Sequence, residues 1–133
     1  MAKLRHIALA VSDPEKAAQF YSKVFDMEIV EPTYSPIADG IYLSDGVVCL
    51  ALLKYKTDEA AGLERGKDWT GTHHFGFWVD DVDAQRKVIE DNGGTFFLDL
   101  PHDKSSLYYE MKFRDPDGII FDISEGGWVG AKK

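Results

Sequence analysis

The sequence predicts an α+β fold of two βαβββ modules in tandem, with curved mixed sheets enclosing a cavity and helices on the outer face. Two observations predict it. HIALAVSD (His6 to Asp13) and HFGFWVDD (His74 to Asp81) align without a gap, histidine on histidine and aspartate on aspartate, and each reads as a strand entering a helix. Three strand-like runs then follow each helix, the last two joined by an Asp-Gly turn, Asp45-Gly46 in the first half and Asp117-Gly118 in the second. The chain is thus one domain, 1–133, made of module 1–53 and module 71–128 joined by a linker, 54–70.

The elements follow in order. After the first strand, Ser12 and Glu15 have capping-box spacing and Pro14 suits a first helical turn; Ala17, Tyr21, Val24 and Phe25 then share one helical face. MEIVE, GIYLS and VVCLALL are the three strands of the first module. The linker is polar, with one helical turn at 58–63 and Trp69 as a packing anchor near its end. In the second module, Val82, Val88 and Ile89 form the helical stripe, which Asn92, Gly93 and Gly94 terminate. TFFLDL, LYYEMKF and IIFDIS complete the set of strands.

Composition narrows the function. With 44% hydrophobic residues in 133, the chain can bury a core, and a formal charge of −8 with no basic stripe excludes nucleic acid as a partner. MAKLRHIALAV lacks the apolar region of a signal peptide, and no run approaches a membrane span. Cys49 is the single cysteine, a small core residue with no disulfide partner in the chain, and a cytoplasmic location is expected.

Strand parity selects the residues that face the cavity. In the first strand Ile7, Leu9 and Val11 suit helix packing, which leaves His6, Ala8 and Ala10 inward. The second copy likewise puts His74, Gly76 and Trp78 inward, and His73 is expected at the surface or strand edge. In the last strand Ile119, Phe121 and Ile123 pack, and Ile120, Asp122 and Ser124 face in. A carboxylate there needs a cation or donors. Two imidazoles and a carboxylate converging from separate strands are the donor set of a divalent metal, on His6, His74 and Asp122.

These residues resemble the vicinal oxygen chelate superfamily, which includes glyoxalase I, the bleomycin- and fosfomycin-resistance proteins, methylmalonyl-CoA epimerase and the extradiol dioxygenases. The resemblance covers nearly the whole chain and rests on HIALAVSDPEKAAQFYSKVF, HFGFWVDDVD and DPDGIIFDI. It implies a homodimer and a divalent ion, Fe, Mn, Ni or Zn, on His6, His74 and Asp122; if modules pair across chains, His6 comes from one subunit and the other two from its partner. Two departures stand out. The last ligand is typically glutamate where this chain has the shorter Asp122, with Glu125 the weaker substitute on the opposite parity. Glyoxalase I also has a glutamate where Leu50 stands, which argues against that chemistry here.

Glu110, Lys112 and Tyr108 point inward if Met111 and Phe113 pack outward; Glu110 then suits proton abstraction beside a carbonyl, and Lys112 or Tyr108 suits the resulting negative charge. The expected function is a metal-dependent, glyoxalase-like enzyme that stabilises an enolate or oxyanion of a small chelating substrate, as lyase, isomerase, transferase or dioxygenase. The alternative is a metal-free binding protein of the bleomycin-resistance kind, with Trp78, Tyr42 and Phe97 lining its cleft.

Overall fold

The computed structural model describes residues 1–100, 103–107 and 109–133. The first module runs β1 (Lys3–Ala10), α1 (Pro14–Phe25), β2 (Glu28–Tyr34), β3 (Ala38–Ser44) and β4 (Cys49–Tyr55). After the short α2 (Asp58–Ala61), the second runs β5 (Gly71–Trp78), α3 (Val82–Asp91), β6 (Thr95–Asp99), β7 (Met111–Arg114) and β8 (Ile120–Ser124). The tandem βαβββ plan is present.

The two modules join edge to edge within one chain. β1 pairs antiparallel with β5, making a single eight-stranded sheet in the order β2-β3-β4-β1-β5-β8-β7-β6. Within each module the first strand pairs parallel with the last, β1 with β4 and β5 with β8. All the inward residues of β1, β5 and β8 therefore belong to one chain, and no second subunit is needed to bring His6 beside His74 and Asp122.

Helices cover one face of the sheet. Leu9 of β1 and Val11 just after it pack with Ala17 and Tyr21 of α1 around Ala18, Leu43 and Leu52. In the second module Phe77, Phe121 and Ile123 pack with Val82, Ile89, Met111 and Phe113. The stripe on each helix is narrower than its sequence suggests: Val24, Phe25 and Val88 are exposed, while Tyr21 and Ile89 pack on the strands.

The cap of α1 also shifts by one residue. Asp13, not Ser12, caps α1, its carboxylate accepting from Lys16 N at 3.1 Å. Asp81 caps α3 in the same way, accepting from Asp83 N and Ala84 N. The repeat thus extends to the cap, since the aligned aspartates do the same work. In the linker, α2 buries Ala60 and Ala61 against Ala10, Ala38 and Tyr55, and Trp69 packs on the same cluster with the Arg65 guanidinium over its ring. Among the described residues no helix is long and apolar enough to cross a membrane.

Replacing either cap by alanine, Asp13→Ala or Asp81→Ala, is expected to lower unfolding free energy by about 0.5–2 kcal/mol. Urea denaturation reads this directly, and a change within error for both variants would contradict the capping assignment.

Candidate functional site

One row of residues crosses five strands on the open face of the sheet. Cys49, His6, Gly76, Asp122 and Lys112 stand directly opposite one another in turn, from β4 through β1, β5 and β8 to β7. His74 sits one step along β5, opposite Ala8. Small residues at Ala8 and Gly76 leave room for the imidazoles, and a Cβ on Gly76 would lie 2.9 Å from the Trp128 ring and 3.1 Å from the His6 Cβ.

His6, His74 and Asp122 are fully buried, and one ligand atom from each lies within 4.8 Å of the others. His74 Nε2 is 3.0 Å from Asp122 Oδ2, His6 Nε2 is 3.6 Å from the same oxygen, and the two Nε2 atoms are 3.3 Å apart. Strand parity had turned all three inward, and the structure brings them together. Burial lowers the pKa of His6 to about 4, against the pull of Glu110, and drops that of His74 well below the ordinary range, so both imidazoles are neutral at pH 7.

His73 is a correction. It is buried rather than at an edge, because α2 and Tyr55 close over the start of β5. Its Nε2 lies 2.6 Å from the Ala61 carbonyl, which can only accept, so Nε2 carries the proton and donates. His73 Nδ1 is then a lone pair, and His74 Nδ1–H donates to it across 2.8 Å. The Tyr55 hydroxyl stands 3.1 Å and 3.4 Å from the two Nδ1 atoms. A carbonyl of the linker thereby fixes the tautomer of His74 and turns its bare Nε2 lone pair toward Asp122.

Two lone pairs 3.0 Å apart call for positive charge, and Lys112 supplies it. Its Nζ donates to both oxygens of Asp122, at 2.8 and 2.9 Å, and lies 3.5 Å from His74 Nε2 and 3.4 Å from Glu110 Oε2. Lys112 is only 3% exposed. Burial works against its charge, but Asp122 and Glu110 outweigh that and hold its pKa above the ordinary value. Glu110 is anchored in turn by Trp128, whose Nε1–H donates to Oε1 at 2.6 Å while its ring stacks on His6 at 4.6 Å. No sequence pattern singled out Trp128. Gly76, whose missing side chain it fills, is the signal that was there to find.

A cavity of about 450 Å³ opens over this row, lined by His6, His74, Glu110 and Lys112 on its polar side and by Tyr42 and Leu53 among its apolar residues. Of the three residues expected to form an aromatic cleft, Tyr42 lines it. Trp78 does not: its Nε1–H donates to the Glu125 carbonyl and its ring lies over Gly127. Phe97 does not either, lying under the Arg114 guanidinium. Tyr108 lies outside the described residues. Burial pushes the Cys49 thiol up to about 12, in keeping with a core role.

The donor set of His6, His74 and Asp122 is right in kind and spacing for a divalent ion. Its surroundings are not. Both Asp122 oxygens already face an ammonium, and His6 Nδ1 is buried with no hydrogen-bond partner among the described residues, whereas a metal-bound imidazole normally donates through its second nitrogen. The site as built does not fit a divalent ion.

A model of the Glyoxalase/Bleomycin resistance protein/Dioxygenase superfamily matches residues 3–123. Among solved structures, a methylmalonyl-CoA epimerase in complex with methylmalonyl-CoA and NH4+ is 20% identical, with a TM-score of 0.77 over 100% of this chain and 99% of that one. A hypothetical protein from Bacillus halodurans C-125 is 18% identical, with a TM-score of 0.75 over 99% and 95%. A Streptomyces coelicolor methylmalonyl-CoA epimerase variant bound to 2-nitronate-propionyl-CoA is 22% identical, with a TM-score of 0.74 over 91% and 94%. No curated protein sequence matches the chain.

The buried histidines make stability depend on pH. The unfolded chain protonates these imidazoles near pH 6.5, and the folded chain protonates His6 and His73 only near pH 4. Stability is therefore complete above about pH 6.5 and falls as pH drops toward 4, by on the order of a few kcal/mol. Urea denaturation at stepped pH measures the slope, which His6→Gln should flatten; a level wild-type profile over that window would contradict it.

Proposed function

The chain belongs to the Glyoxalase/Bleomycin resistance protein/Dioxygenase superfamily, and from that premise we propose that it is an enzyme that removes a proton beside a carbonyl group of a small substrate and stabilises the resulting enolate. The observation that carries this reading is a carboxylate and an ammonium side by side on the cavity wall, Glu110 Oε2 and Lys112 Nζ, 3.4 Å apart. Glu110 accepts the proton as the C–H bond breaks. The electron pair moves to the carbonyl oxygen, where Lys112 Nζ donates to the oxyanion. Return of the proton to the same or a neighbouring carbon gives an epimer or isomer. Trp128 holds Glu110 Oε1, which leaves Oε2 for this work.

Structural relatives named as methylmalonyl-CoA epimerases make a thioester with an acidic α-hydrogen the first substrate class to try, and 2-oxo acids the second. The alternative is a divalent ion, Fe, Mn, Ni or Zn, on His6, His74 and Asp122, whose ligand atoms converge; the ammonium on both Asp122 oxygens and the unpartnered His6 Nδ1 count against it. Metal content after add-back separates the two. The metal-free sequestering alternative loses support with Trp78 and Phe97 outside the cavity. Assembly as a homodimer belongs to the same proposal, and light scattering reads it.

The test is exchange of α-hydrogens with D2O across a panel of thioesters and 2-oxo acids, followed by mass spectrometry. Glu110→Gln is expected to slow exchange by about 10²–10⁴-fold while ligand binding persists. No exchange by wild type across the panel, or an unimpaired Glu110→Gln, would end this reading.

A further inference from the structure

We propose that the ammonium of Lys112 is the resident cation of this site and stands in place of the divalent metal that the donor set would otherwise bind. This concerns which cation the site holds, so it stands or falls separately from the reaction proposed above.

Three observations carry it. The first is position. Lys112 lies directly opposite Asp122 in the hydrogen-bonded β7–β8 pair, so the backbone register itself delivers Nζ to the carboxylate. The second is access. Lys112, His6 and His74 line the cavity and the fully buried Asp122 does not, so the carboxylate lies behind these side chains rather than on the cavity wall. The third is proton placement. With the His74 lone pair fixed by His73, His6 Nε2–H donates toward it and the unpartnered His6 Nδ1 is a lone pair. Metal on His6 Nε2 would move that proton to Nδ1 and leave a buried N–H without an acceptor, which is costly.

Charge points the same way. The groups facing one another are the carboxylates of Asp122 and Glu110, the Lys112 ammonium and two neutral imidazoles. One ammonium leaves this set at −1. A divalent ion added beside it would reverse the sign and set two cations against each other in a buried volume.

The test is divalent-metal binding by the full chain. Wild type, Lys112→Met and Lys112→Gln are each titrated with Zn²⁺, Ni²⁺ and Mn²⁺ by calorimetry, and metal kept after desalting is counted by elemental analysis. Wild type is expected to keep none, and a variant lacking the ammonium to bind at least one of the three about a hundredfold more tightly. Equal affinity with and without Lys112, or no binding by a folded variant, overturns the proposal. A second measurement needs no substitution: in wild type carrying ¹⁵N-lysine, the buried Lys112 ammonium is followed by NMR through the same titrations. Persistence of its signal at the highest metal concentration supports the proposal, and its loss as metal binds overturns it. Absence of α-proton exchange leaves each of these outcomes unchanged.

Discussion

A carboxylate removed from water costs several kcal/mol unless a cation and donors meet it, and Asp122 is fully buried in the middle of β8. Much of the surrounding structure follows from that constraint. β7 must pair with β8 in the one register that sets Lys112 opposite Asp122, since slipping by one residue would turn the lysine to the helix face. Gly76 must lack a side chain so that β1 and β8 can bring His6 and Asp122 to the same place. Removing either member of the pair would leave its partner buried and uncompensated, a loss of about 3–5 kcal/mol.

The linker takes part in this arrangement. Through the carbonyl of Ala61 it acts on His73, and through His73 on the ring of His74. Ala61 is itself packed beneath Tyr55 and Ala38. The orientation of a buried imidazole is therefore tied to the segment between the modules, twelve residues earlier in the chain. A polar stretch that reads as a spacer is part of the support of the site.

Fold and site were legible in the sequence to different depths. Period-two patterning and the repeated histidine strand carry enough information to define both modules, their order and the inward face of β1, β5 and β8. Parity also turned Glu110 and Lys112 toward the cavity. It carries no information about which inward residues touch. The Lys112–Asp122 contact depends on the β7–β8 register, which the Asp117-Gly118 turn sets. His73 was misread because parity describes a sheet with two faces and says nothing of a loop closing over a strand end. Trp128 lies beyond the last strand, where no periodicity applies, and reaches the site by folding back across Gly76.

Duplication makes the two halves of the cavity alike in backbone and unlike in polarity. Ala51 and Tyr42 occupy the places in the first module that Asp122 and Lys112 occupy in the second: Ala51 stands opposite Ala8 of β1 and Tyr42 opposite Ala51, as Asp122 stands opposite Gly76 of β5 and Lys112 opposite Asp122. The first module accordingly offers Tyr42, Leu53 and Ala51 to the cavity, and the second offers Glu110 and Lys112. A backbone plan used twice has become a container with two unlike ends, charged beside β7 and apolar beside β3 and β4.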